Sequence, residues 1–151
     1  RQGDPREIEA HFHKAAQYLE KKEIAGDELA GFITFCGRMY KFIAVKVRFS
    51  ARLGSLLREE DGDEEIRRQA AGLKRQALDL KNLYVDSWNR HVQPGSRPPD
   101  IKGFDFLCES FARLIRTVSR PAGREDLMAE LKKYSPLNVM DGELGDDFYR
   151  P

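Results

Sequence analysis

EEIRRQAAGLKRQALDLKNLYVDSW, residues 64–88, is the stretch from which the fold is read. Ile66, Ala70, Leu73, Ala77, Leu80 and Tyr84 recur at spacings of four, three, four, three and four. At 3.6 residues per turn these side chains fall on one face, so the segment is the seam of a packed helical bundle. It runs into Trp88-Asn89-Arg90-His91-Val92-Gln93-Pro94, where an aromatic, a basic pair and a proline bring the helix to an end near Trp88.

Upstream of the seam, Asp61-Gly62-Asp63 is a short turn, with Asp63 the expected N-cap of the seam helix. Before it, a helix is expected from about Glu28 to Glu60. One apolar stripe is Phe32, Phe35, Met39, Phe42, Phe49, Leu53 and Leu56, interrupted at Lys46; a second is Ile33, Cys36, Tyr40, Ile43 and Val47. Two adjacent stripes make a wide apolar face, which predicts more than one neighbouring helix. Gly31, Gly37 and Gly54 weaken this helix by about 1 kcal/mol each relative to alanine, but small residues also permit close helix approach. Nearer the N-terminus, Asp4-Pro5 is a helix start, with a side-chain cap followed by proline at the first helical position. Ile8, Phe12, Ala15 and Leu19 continue it as one stripe to an end near Lys22-Glu23. Gly26 then punctuates a loop, and Asp27 is placed to cap the second helix.

Downstream, Pro94-Gly95-Ser96-Arg97-Pro98-Pro99-Asp100 is a loop. Phe104, Leu107, Phe111, Leu114 and Val118 form a fourth helical stripe that stops at Pro121-Ala122-Gly123, and Leu127, Met128 and Leu131 suit a short helix over 124–134. Residues 135–151 show no period, although Leu137, Val139, Leu144, Phe148 and Tyr149 suit a tail docked on the bundle. The expected fold is therefore all-α: an antiparallel bundle of three to four main helices over 1–134, followed by an irregular tail over 135–151.

The chain has 151 residues, 26 basic and 25 acidic side chains and a formal net charge of +1. That balance argues against a dedicated nucleic-acid binder, which carries a clear basic excess. No apolar run approaches the roughly 20 residues of a membrane span, and no secretory signal is visible, so no membrane partner is expected. Cys36 and Cys108 both fall in apolar helical patterns and are read as reduced core residues.

Candidate chemistry is sparse. His11 and His13 are two apart and diverge on a helix, whereas a helical metal pair needs three or four. Asp27-Glu28 and Asp63-Glu64-Glu65 each open a helix, where carboxylates complement the dipole and need no catalytic explanation. Arg38, Lys41, Arg48 and Arg52 are read as a solvated face with pairing partners. No nucleophile with a base, phosphate loop or metal-ligand spacing stands out, so no catalytic residue, cofactor or metal is assigned. The remaining cluster is Trp88, Arg90 and His91, where a helix meets a long loop. It is the candidate contact surface, since loops set on rigid helices often carry binding residues; the alternative is an indole that merely covers the end of the core.

In order, the chain carries Lys46, Leu53-Gly54, Gly62-Asp63, Leu83-Tyr84, Trp88, Pro94, Gly103-Phe104 and Arg113-Leu114. This order resembles the C-terminal helical region of glycoside hydrolase family 20, in particular the hexosaminidase D-like β-N-acetylhexosaminidases, over about half of the chain. Val92-Gln93 depart from the family's Asn-Lys/Arg, and 95–102 is an insertion relative to it. The resemblance implies an accessory helical domain beside a catalytic barrel, in a parent that removes terminal N-acetylhexosamine. It also implies packing, dimer assembly or pocket-edge support as the role, and an intracellular, cytoplasmic or nucleocytoplasmic setting. The family's catalytic Asp-Glu pair follows a barrel strand. Asp27-Glu28 have no such strand before them, and the role is not carried over. The rival expectation is a free-standing helical interaction or scaffold module, with a protein partner or a second copy of itself as the ligand.

Overall fold

The computed structural model describes residues 4–21 and 27–131, with the side chains of 27–29 left aside. These residues form five helices and no strand: α1 (Pro5–Glu20), α2 (Asp27–Leu56), α3 (Gly62–His91), α4 (Ile101–Val118) and α5 (Gly123–Leu131). α1 ends at Glu20, just short of the end expected near Lys22-Glu23; the loop at Gly26, the side-chain cap at Asp27 and the tail over 135–151 lie outside what is described.

The seam read from residues 64–88 is the seam observed. Ile66, Ala70, Leu73, Ala77 and Leu80 are all buried, and Tyr84 packs against the same core. Opposite them stand Phe42, Phe49, Leu53, Leu56 and Leu57 of α2 and its C-terminal extension, and Phe104, Phe111, Leu114 and Val118 of α4. The helices run antiparallel. Tyr84 near the end of α3 meets Phe35 near the start of α2 (5.5 Å between centroids) and Phe104 near the start of α4 (5.8 Å). At mid-height Phe42 meets Phe111 edge-on, 6.4 Å apart and 88° between planes. Such edge-to-face pairs add about 0.5–1.5 kcal/mol to the burial itself.

The second stripe of α2 serves α1, as its width predicts. Phe12 of α1 lies 5.7 Å from Tyr40, and Ala16 and Ala44 are completely buried. Gly37 is buried and a Cβ there would lie 3.9 Å from Leu19, so this glycine lets the two helices approach. Asp4 caps α1 as expected, its carboxylate accepting from the Arg6 amide at 2.9 Å with Pro5 in the first turn.

Three boundaries differ from the sequence reading. First, α2 ends at Leu56, not Glu60. The amides of Arg58 and Glu59 turn back to the carbonyls of Ser55 and Leu56, tightening the chain into a corner. Second, α3 starts at Gly62, and Asp63 is not its cap. Its carboxylate accepts instead from Arg124 Nε of α5 at 3.0 Å. Third, α3 runs a turn past Trp88 to His91, where the amides of Val92 and Gln93 both return to the Trp88 carbonyl. One member of the expected α2 core stripe is also displaced: Phe32 is 58% exposed. It lies one turn before Phe35, and it is Phe35 that takes the contacts with Tyr84 and Phe104.

The α2–α3 and α4–α5 corners use one device. Each glycine that opens the next helix donates its amide three residues back, Gly62 to Glu59 and Gly123 to Arg120. Each sits so close to the preceding helix that a Cβ would fall 1.6 Å from the Leu56 carbonyl oxygen, or 1.8 Å from that of Thr117. Only hydrogen fits in that space. Arg124 then joins the corners. It pairs with Asp63 and donates to the carbonyl oxygens of Glu59 (3.0 Å) and Glu60 (3.2 Å), which closes α5 over the foot of the bundle.

Candidate functional site

The end of the bundle where α3 stops, residues 92–100 cross over and α2 begins holds the three residues singled out in sequence. Its foundation is a row of aromatic rings. Phe35, Tyr84 and Phe104 contact one another, and Trp88 lies one turn above Tyr84, its ring tilted by 58° at 6.4 Å. Burial, reinforced by the Asp100 carboxylate, pushes the Tyr84 phenol above its ordinary value, so it stays neutral and protonated.

Trp88 turns toward the loop. Its indole Nε1 donates to Ser96 Oγ at 2.8 Å, and that hydroxyl donates to the Gln93 carbonyl at 3.0 Å. The crossing chain is thereby folded back on the helix that precedes it, with Gly95 at φ 76° and Asp100 at φ 61° supplying left-handed corners. Pro98 is buried beneath this turn. Asn89, next in sequence, has a buried side-chain oxygen without a hydrogen-bond partner among the described residues.

Arg90 and His91 are exposed. They do not join Trp88 in one constellation. Arg90 lies two positions from Trp88 and so on another side of the helix. His91 shares a side with Ser87, and both border Gly31 of α2: a Cβ there would lie 3.6 Å from Ser87 Oγ and 3.8 Å from His91 Nε2. Of the three candidates, Trp88 organises the loop, while Arg90 and His91 present themselves to solvent. The two residues that sequence reasoning missed flank this contact. Phe32 follows Gly31 and Val92 follows His91, and they are 58% and 61% exposed.

Most of the other sequence candidates have ordinary local roles, and Arg38 lines a groove beside α1. Arg48 grips Glu9 of α1 through Nε and Nη2, which lowers the carboxyl's pKa and raises that of the guanidinium. Lys41 pairs with Glu20, and the Arg52 charge helps, as a minor cause, to lower the Glu65 carboxyl. Glu65 is held low chiefly by its bond from Gln69 and then by Arg68, so the acidic start of α3 is a paired surface feature. His13 lies 3.6 Å from Glu9, while His11 packs edge-on against Phe12. Cys36 and Cys108 are both free and half-buried, and burial raises the pKa of each thiol, which suppresses the reactive thiolate. Among the described residues, no group of three or more His, Cys, Asp or Glu could hold a metal ion. Likewise, no helix is long and apolar enough to cross a membrane. A groove of about 430 Å³ between α1 and α2 is lined by Leu19, Glu20, Ile33, Thr34, Gly37 and Arg38, and the Thr34 hydroxyl in it donates to the Ala30 carbonyl at 2.9 Å.

No protein-family model, curated protein or solved structure matches the chain.

Proposed function

We propose that the chain is a non-catalytic helical module that works by protein contact, presented from the α3 end of the bundle. The observation that carries this reading is the exposure of Phe32 and Val92, each next in sequence to a residue of the Gly31–His91 junction. Both are large apolar side chains more than half exposed, on neighbouring elements that touch through Gly31 and His91. A single exposed apolar residue is ordinary, whereas two flanking one junction, with Arg90 and His91 at hand, make the start of an interface. Trp88 is then the residue that sets the platform, through Ser96 and Tyr84, and Arg90 and His91 supply polar rim contacts.

The resemblance to family 20 glycosidases supplies the specific form of this proposal. There the partner is the catalytic barrel of a β-N-acetylhexosaminidase-like parent, and the module supports packing or assembly. The test is hydrolysis of chromogenic N-acetylglucosaminide and N-acetylgalactosaminide by the chain alone and by a longer protein that carries it. Activity in the chain alone overturns the non-catalytic reading. Activity only in the longer protein, reduced when Phe32 and Val92 are changed to serine, supports the barrel-contact form. In the homodimer form, sedimentation of the chain shifts with concentration, and the same double substitution abolishes the shift. If neither readout responds to the substitution, the α3 end is not the contact surface.

A further inference from the structure

The foot of the bundle carries a second inference. The helix that closes it, α5, has little of its own to hold it there. It is nine residues long, below the about 12–15 residues at which an isolated helix becomes even marginal in water. Gly123 is its one buried residue. Leu127, Met128 and Leu131 pack on the core only half-buried, whereas α3 and α4 each bury several side chains outright.

The corner that leads into α5 is strained. Ala122 stands at φ 61°, and among the described residues the only other non-glycine with a positive φ is Asp100. A short polar side chain eases that conformation for aspartate. Alanine has none, and its Cβ crowds the following carbonyl. Ala122 and Pro121 are both exposed, so packing around them does not impose the strain. It is imposed from the α5 side. Gly123 is wedged where a Cβ would fall 1.8 Å from the Thr117 carbonyl oxygen, and the Ala122 carbonyl accepts from the Asp126 amide at 3.0 Å. Arg124 then ties α5 to Asp63 and to the carbonyls of Glu59 and Glu60. This clasp is open to water, with the Arg124 and Asp63 side chains 31% and 32% exposed. A strained residue persists only while its surroundings over-determine it. Once Arg124 lets go, Ala122 can return to negative φ, and α5 pivots on it.

We propose that α5 is a hinged lid on the foot of the bundle, with Ala122 as the strained hinge and Arg124 as the clasp. Its opening uncovers the apolar surface beneath Leu127, Met128 and Leu131, including Gly54 of α2, where a Cβ would lie 4.0 Å from Leu131 Cδ1.

The test is native-state amide exchange of the full chain, read residue by residue by NMR, in the parent, Arg124→Ala and Ala122→Gly. In the parent, the amides of 127–131 are expected to share one protection factor, at least about tenfold below that of Leu73, Ala77 and Leu80 in the α3 seam. Arg124→Ala should lower the shared factor about tenfold, since all three clasp bonds are lost. Ala122→Gly should raise it about threefold, the left-handed penalty less the extra freedom of glycine in the open state. In both variants the seam amides stay better protected than those of α5, which verifies that the bundle is folded. Protection of α5 equal to that of the seam overturns the proposal, because α5 then leaves only when the whole bundle unfolds. Protection that declines step by step toward Leu131, or that Ala122→Gly does not raise, also overturns it, because that is fraying without movement at the hinge. An Arg124→Ala variant with unchanged α5 protection removes the clasp and the proposal with it.

Discussion

Substituting alanine for glycine at two positions of α3 should have opposite effects, because one position is a packing constraint and the other is not. At Gly62 the new methyl would stand 1.6 Å from the Leu56 carbonyl oxygen, about 1.4 Å inside the 3.0 Å floor of real Cβ contacts. The obstructing atom is backbone, so no side chain can rotate away, and the corner itself must open. Opening it threatens the Gly62 amide bond to Glu59 and the two bonds from Arg124 to the Glu59 and Glu60 carbonyls. At about 0.5–1.5 kcal/mol net for each of these three bonds, the loss is about 1.5–4.5 kcal/mol, and misplaced α5 packing adds to it. At Gly72, ten residues along the same helix, a Cβ would meet nothing within 4 Å. There the change removes only the glycine penalty, so stability should rise by about 0.5–1 kcal/mol. The assay is urea unfolding of the two variants and the parent, followed by far-ultraviolet circular dichroism and Trp88 fluorescence. The slope of each transition serves as a check that the unfolded states match. A Gly62→Ala midpoint equivalent to a loss of less than about 0.5 kcal/mol would refute the close-approach argument. A Gly72→Ala variant less stable than the parent would refute the register of α3.

Three further outcomes are expected. Leu80→Ala removes a side chain that is 3% exposed at the centre of the seam, and should cost about 2–5 kcal/mol in the same unfolding assay. Trp88→Phe loses the bond to Ser96 and should cost about 0.5–1.5 kcal/mol. It should also speed amide exchange in residues 93–97, while Arg90→Ala and His91→Ala stay within about 0.5 kcal/mol of the parent because both side chains are exposed. The third concerns acid. Glu9 has its folded pKa lowered, first by the hydrogen bond from Arg48. Its contribution is therefore present above the unfolded glutamate value of about 4.3 and is lost as pH falls through the folded value. Thermal midpoints of the parent and Glu9→Gln should differ at pH 7 and converge as pH falls below the unfolded glutamate value and through the lowered folded one; a gap that stays constant with pH would remove the ion pair as its cause.

How much of this chain is legible in its sequence depends on where each interaction partner lies. The α3 seam and the α4 stripe are legible because burial repeats with the helix period, and one helix carries enough repeats to reveal it. Phe32 shows the limit of that logic. It continues the α2 stripe in good register, yet the Tyr84 and Phe104 rings meet Phe35, one turn further on, and a period within one helix does not say where a neighbour's side chains fall. Arg124 shows another. Its acceptors are Asp63, 61 residues away, and two backbone carbonyls, and a carbonyl exists at every residue, so nothing in the sequence marks these two. The N-cap assigned to Asp63 fails for the same reason: a carboxylate ahead of a helix suits the dipole wherever it points, and here a remote guanidinium claims it. The glycine corners are visible in sequence only as punctuation. That Gly62 and Gly123 exclude any Cβ is a matter of approach between helices, not of local conformation, since neither has a positive φ. The candidate site divides along the same line. Trp88, Arg90 and His91 can be picked out as unusual residues at the junction of a helix and a loop. Their division of labour, with one indole pinned to Ser96 and two side chains left to solvent, is set by the loop's path, and the loop has no period from which a path can be read.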